Sequence, residues 1–436
     1  MFKNFHEQRE LMEDKIKLGI ESHRKGYFKI CFTDSEGNPV RGARLKIRQK
    51  THEFKFGANL FKLGCFEDPE DNALYEERFA GLFNMATLPF YWSDFEPRDG
   101  AMRFEKDSPF IDRRIPPELG LEFCRKHGIE AKGHPLFWQV MMPDWLPADY
   151  SEMQPYWVRR LRAIAERYDG VIKSFDCVNE CTGVPYTREE PHKKDTHYRN
   201  FCPIDNTYPS YAFDMANRFF PASRLVLNET SYPWHKGHFR GELSAYYMLA
   251  EKLIREGKRV DVIGFQWHDF MKEADMKYLA GLYDPRHIYA VMDCYEKLNR
   301  PMSVTEITIP GYDEGAQAET IYNLYRIWFS QAGMESIVYW NLGDNCAISG
   351  KKGWEEDAYR SGLVDSKFRP KESYRVLEEL IKREWHTDLD LDADGENIYF
   401  KAFYGDYEVT AERDGKVVTR QLKLTKKGYD TFYFEF

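Results

Sequence analysis

Five short apolar runs in this chain end on residues able to do chemistry: Gly133-His134-Pro135-Leu136-Phe137-Trp138, Phe175-Asp176-Cys177-Val178-Asn179-Glu180, Gly264-Phe265-Gln266-Trp267-His268, Val304-Thr305-Glu306 and Tyr339-Trp340-Asn341. One Glu at the end of a buried strand can be no more than a solvated loop start. Two of them, Glu180 and Glu306, accompanied by histidines, amides and indoles, form a constellation. The chemistry open to such a pair is displacement at an acetal carbon. One carboxyl protonates the leaving oxygen, and the other, about 5 to 5.5 Å away in retaining enzymes, attacks the anomeric carbon.

For these residues to meet, the runs that carry them must lie side by side. Strands are predicted at Phe54 to Leu60, Leu82 to Leu88, Glu130 to Phe137, Ile172 to Asn179, Arg224 to Asn228, Asp261 to Trp267, Pro301 to Ile307 and Ser336 to Asn341. Helix-like stretches such as Glu118 to His127, Gln154 to Tyr168, Glu242 to Glu256 and Ala318 to Ala332 fall between them. Eight strands alternating with helices predict an α/β fold, a (β/α)8 TIM barrel, whose active site lies at the C-terminal ends of the strands. Strands four and seven then bring their terminal Glu residues to one substrate from opposite sides.

Both ends of the chain read differently. His6 to His23 has the helical period, with Leu11, Ile16 and Ile20 on one side. Tyr27 to Phe32 and Ala43 to Arg48 alternate around Asp34-Ser35-Glu36-Gly37-Asn38-Pro39 and predict a β-hairpin. Asn397 to Phe403, Asp406 to Glu412, Val417 to Leu424 and Thr431 to Phe436 alternate likewise, separated by Gly405, Asp414-Gly415 and Lys427-Gly428. The expected organisation is residues 1–52 and 386–436 as two parts of a small accessory β-sandwich, with the catalytic barrel over 53–385. As a structural cap this sandwich would cover barrel hydrophobics; as a module it would bind sugar.

Composition removes other classes. A net charge of -9 without a basic stripe argues against nucleic acid. Met1 to Arg24 is charged throughout, so it reads as neither signal peptide nor membrane anchor, which predicts a cytoplasmic protein unless a leader has been removed. The eight Cys are scattered, and Cys177 and Cys294 lie in apolar runs, which suits reduced core thiols. His192, His197 and Cys202 fall in a polar stretch without tight ligand spacing, so no metal is expected. The aromatic share of 16% suits a large core or a surface that stacks on sugars.

The residues that end the runs resemble those of glycoside hydrolase family 10, the endo-β-1,4-xylanases of clan A, over about Phe54 to Leu380. Asn179-Glu180 resembles that family's Asn-Glu pair, and Thr305-Glu306 its nucleophile motif. The resemblance implies Glu180 as acid/base, Glu306 as nucleophile and Asn179 on the sugar 2-hydroxyl. Gln266 and His268 resemble its Gln-x-His that holds the nucleophile, His134 with Trp138 its Gly-His-x-Leu-x-Trp, and Trp340 the indole flooring the sugar site, with Asp344 nearby. It implies a retaining hydrolase that needs no cofactor, has a carbohydrate as its partner and acts on β-1,4-xylan or xylo-oligosaccharides.

The departures fall on one side of the site. Leu88-Pro89-Phe90-Tyr91-Trp92 stands where the family has Glu-Asn and then Lys-Trp gripping the −2 sugar, and this makes Tyr91 and Trp92 candidates for stacking. Lys132 replaces Arg, Gln139 replaces a second His, Asn341 replaces Gly, and Trp354 is the candidate for an indole absent soon after Asp344. The change leaves open another β-glycoside as substrate, such as an aryl or plant-metabolite glycoside. A catalytically silent carbohydrate-binding barrel is the alternative of a different class; retention of both Glu with Asn179, Gln266 and His268 argues for the enzyme. Oligomeric state is not readable from this sequence.

Overall fold

A computed structural model describes residues 2–147, 150–182, 207–276, 282–350, 355–426 and 430–436. The first two strands, β1 (Lys25–Thr33) and β2 (Ala43–His52), precede the barrel. Eight parallel strands then close on themselves: β3 (Lys55–Asn59), β4 (Met85–Pro89), β5 (Glu130–His134), β6 (Ser174–Asn179), β7 (Arg224–Glu229), β8 (Val262–His268), β9 (Met302–Thr308) and β10 (Met334–Tyr339). The eight runs expected from the sequence are these strands, with ends shifted by a few residues, and β10 pairs with β3 to complete the barrel. Their residues are buried almost without exception, as strands covered on both faces must be.

Local chemistry starts and stops the helices between them. Asp68, Asp284 and Asp313 each accept from a backbone N–H one turn into the helix that follows, at Glu70, Arg286 and Ala316. Pro69 and Pro285 occupy first-turn positions whose N–H would have no helical partner. Gly128, in the left-handed region at φ 66°, ends Pro117–His127 and turns the chain into β5.

After the barrel come β11 (Asp388–Ala393), β12 (Asn397–Phe403), β13 (Gly405–Arg413), β14 (Lys416–Leu424) and β15 (Asp430–Glu435). They join the N-terminal strands in two sheets of order β12-β1-β15 and β11-β2-β13-β14. Phe28, Ile30, Phe32, Phe400 and Phe434 of one sheet pack on Leu45, Ile47, Tyr407, Val409 and Leu424 of the other, so both ends of the chain share a sandwich with its own core. Asp414 and Gly415, both at positive φ, make the two-residue turn between β13 and β14.

The expected N-terminal hairpin is corrected. β1 and β2 lie in opposite sheets, linked by an arch over residues 34–42, because each buries alternate side chains toward the other instead of sharing an edge. The N-terminal segment forms helices Lys3–Glu7 and Arg9–His23. Met12, Ile16 and Ile20 of the second join the barrel core, whereas Leu11 is exposed. At Gly19 this helix crosses Glu314–Ser330 so closely that an added Cβ would lie 2.3 Å from the Ser330 carbonyl oxygen.

The seven described cysteines are all free thiols. Among the described residues no helix is long and apolar enough to cross a membrane. His192, His197, Cys202 and Trp354 lie outside the described residues.

Candidate active site

Every strand expected to carry chemistry delivers its terminal residues to the same end of the barrel. Glu180 follows β6 in the left-handed region, at φ 53°, where a non-glycine residue is uncommon and strain marks functional positions. Two bonds fix that backbone: Glu180 N–H donates to the Asn228 carbonyl at 3.0 Å, and Gln139 Nε2 donates to the Glu180 carbonyl at 3.1 Å. The carboxylate accepts from Trp138 Nε1 at 3.1 Å and from Gln266 Nε2 at 2.9 Å.

Gln266 Nε2 also donates to Glu306 Oε1, at 3.1 Å. One amide nitrogen therefore bridges the two carboxylates and holds the bonded oxygens within about 6 Å of each other. Glu306, inside β9, takes two further bonds: from Asn228 Nδ2 at 2.9 Å and from His268 Nε2 at 3.2 Å. The second nitrogen of His268 faces Thr308 Oγ1 at 2.9 Å, which suits a ring that donates through Nε2–H and accepts the threonine hydroxyl. Burial lowers the His268 pKa to about 4, so this ring is a neutral donor at working pH.

Asn228 was not among the residues singled out from the sequence, although it ends the fifth run. Its Nδ2 donates to Asn179 Oδ1 at 2.8 Å as well as to Glu306, and its Oδ1 accepts from Thr305 Oγ1 at 2.5 Å. Room for it depends on Gly264, where an added Cβ would sit 2.7 Å from Asn228 Oδ1. Beneath Glu306 lies a second buried group: Asp176 accepts from Lys132 Nζ at 2.5 Å and pairs with His134 Nδ1 at 2.7 Å, and that nitrogen is 3.7 Å from Glu306 Oε1. His134, Asp176 and Glu306 are close enough to ligate one ion, but the Lys132 ammonium already supplies a cation there.

These surroundings set the charge state. Burial raises Glu180, and the Glu306 charge raises it further, against donation from Gln266 and Trp138. Burial also pushes Glu306 up, to about 7, with His134 and Lys132 pulling down and Asp176 pushing up. Burial would raise Asp176 too, but Lys132 and His134 outweigh it and hold that carboxyl below its ordinary value. Two bridged carboxyls titrate as a pair. The anion is favoured on Glu306, which takes three donors, and the proton on the partly exposed Glu180, which takes two.

Aromatic rings wall this centre. Trp340 stands edge-on to His134 at 5.5 Å and to His268 at 5.9 Å, and Tyr91 contacts both His134 and Trp138. Trp92 is corrected: the chain turns into the short helix Trp92–Phe95, and this indole packs on Trp157 and donates to Glu96, away from the mouth. Asp344 accepts from Lys371 and from Gly362 N–H, which ties down the loop after β10. Arg113, Arg114 and Glu356, which no motif or periodicity marks in the sequence, come from long loops.

A parallel eight-stranded barrel with two bridged carboxylates at its mouth is the arrangement of the barrel glycoside hydrolases. The chain belongs to glycosyl hydrolase family 10, whose model matches residues 72–380. It is 24% identical over 414 residues to the anti-sigma-I factor RsgI6 of Acetivibrio thermocellus, covering 92% of this chain and 47% of that protein. It is 24% identical over 412 residues to endo-1,4-beta-xylanase 2 of Arabidopsis thaliana, covering 92% of this chain and 33% of that one. The chain thus spans between a third and a half of these relatives. Xylanase 10B of Thermotoga petrophila RKU-1, solved with xylobiose, has the same fold, with a TM-score of 0.56 at 21% identity over 76% of this chain and 95% of that one.

Proposed function

We propose that this protein is a retaining glycoside hydrolase acting on β-1,4-linked xylo-oligosaccharides. The observation that carries the reading is the Gln266 bridge. A separation within about 6 Å leaves no room for the intervening water of inverting enzymes, whose carboxyls stand about 6.5 to 9.5 Å apart. In the first step a Glu306 oxygen attacks the anomeric carbon, the glycosidic C–O bond breaks, and Glu180 gives its proton to the leaving oxygen. In the second, Glu180 takes a proton from water, the water oxygen attacks the same carbon, and Glu306 departs as carboxylate. His134, Trp138, Asn179, Gln266, His268, Trp340 and Tyr91 form the sugar site, with Asn179 on the 2-hydroxyl.

Support for xylan-type substrates comes from family membership and from xylanases among the relatives. Short oligosaccharides or small β-glycosides are favoured over polymer, because Leu88, Pro89, Phe90 and Tyr91 offer no charged grip to a second sugar. A non-catalytic reading, to which kinship with an anti-sigma factor lends interest, does not explain why both carboxylates keep their donors. The test is Glu306→Ala on an aryl β-xyloside. Turnover should fall below about a hundredth of wild type, since a lost catalytic group costs several kcal/mol, and azide or formate should restore it with an inverted product. Retention of activity would refute the assignment.

A further inference from the structure

The two sides of the mouth differ in exposure, and the difference bears on where in a chain the enzyme cuts. The inference rests on the glycosidase reading above. Because Glu180 protonates the leaving oxygen, the leaving group lies toward β6 and its neighbours β7 and β8. The sugar that becomes attached to Glu306 extends the other way, toward β10, β3 and β4. On the leaving-group side Tyr232, after β7, stands open, 51% exposed.

The glycone side is built shut. Asn341, next to Trp340, accepts from Arg113 Nη1 at 2.9 Å and from Asn59 Nδ2 at 3.4 Å, and donates to Glu356 at 3.3 Å. Asn341, Arg113 and Glu356 are 1%, 5% and 4% exposed. Beside them Arg114, paired with Asp94 at 2.8 Å, lies 4.1 Å from the centre of the Tyr91 ring. A subsite for another sugar would need groups that face an open groove; here the polar groups face one another. Arg113 holds its place at φ 61°, a backbone conformation that persists only where its surroundings enforce it. Its Nε is buried without a hydrogen-bond partner among the described residues.

We propose that the Arg113–Asn341–Glu356 wall closes the glycone side beyond one sugar, so that the enzyme works from the non-reducing end and releases monosaccharides one at a time. The test uses 4-nitrophenyl β-xyloside and 4-nitrophenyl β-xylobioside, with the β-glucoside and β-cellobioside run in parallel, and both sugar and nitrophenol are followed. The monosaccharide glycoside should release nitrophenol at least tenfold faster. The disaccharide glycoside should yield free monosaccharide first, with nitrophenol appearing only after a lag. Immediate nitrophenol together with xylobiose or cellobiose, at a rate above that of the monosaccharide glycoside, would overturn the proposal while leaving the glycosidase reading intact. Failure to cleave any of the four would refute that reading, and this inference with it. Arg113→Ala and Asn341→Gly, which open the wall from two sides, should each bring disaccharide among the first products; a first product unchanged in both would also count against the wall.

Discussion

Replacing Asn228 by Ala tests whether the amide beside Glu306 works on the nucleophile or only fills space. The wild-type side chain donates to Glu306 at 2.9 Å and to Asn179 at 2.8 Å. The bond to Glu306 is to a charged acceptor, worth about 1.5 to 3 kcal/mol. At about 1.4 kcal/mol per factor of ten, its loss should lower kcat/KM by about ten- to a hundredfold. The substitution orphans little, because Thr305 Oγ1 still donates to the Phe265 carbonyl and Asn179 Oδ1 still accepts from Gln266. The pH profile separates the two roles. Donation to the ionised form holds the Glu306 pKa down, so removing it should raise that pKa. Activity, which needs ionised Glu306, should then be lost at higher pH as the solution is acidified, moving the acidic limb upward from a wild-type position that burial has already raised. The assay is kcat/KM on an aryl β-xyloside from pH 4 to 9, with thermal melting to confirm folding. A variant within about twofold of wild type, with the acidic limb unmoved, would refute the role given to Asn228.

In Glu180→Ala, activated aryl leaving groups should suffer least and alkyl ones most, and the alkaline limb should vanish, because it is the protonated acid, its pKa raised by burial and by Glu306, that is lost as pH rises; equal losses across leaving groups would count against the acid role. Lys132→Met leaves Asp176 a buried charge with only His134 beside it, so denaturant unfolding should show a loss of about 3 kcal/mol, partly recovered in Lys132→Met with Asp176→Leu. Gly19→Ala forces a Cβ against the Ser330 carbonyl and should cost about 1 to 3 kcal/mol of stability, with kcat/KM of the folded protein unchanged, since the contact lies between helices remote from the mouth.

What could be read from sequence follows from what each pattern encodes. The eight strands were legible because both faces of a barrel strand are buried, which leaves apolar runs, and because those runs end where the chain meets the mouth. The same rule applied to β7 points to Asn228, but that residue stands in no longer motif to draw notice. Alternation in β1 and β2 reports which side chains face a core, not which strand is the hydrogen-bonded neighbour, so a face-to-face arch reads as a hairpin. Tyr91 and Trp92 look equivalent in sequence, yet one turn of helix sends the first to the mouth and the second to Trp157. Arg113 and Glu356 lie in loops without periodicity, where only tertiary packing brings a side chain from residue 113 to residue 341.

Retaining hydrolysis requires Glu306 to form a covalent bond to the sugar. Incubation with an activated 2-deoxy-2-fluoro-β-xyloside, which slows the second step, followed by proteolysis and mass spectrometry, reads that bond directly. The peptide carrying Glu306 should gain the mass of one fluorinated sugar, with stoichiometric release of the leaving group. An adduct on another residue, or steady turnover of the parent xyloside with Glu306 unmodified, would contradict it.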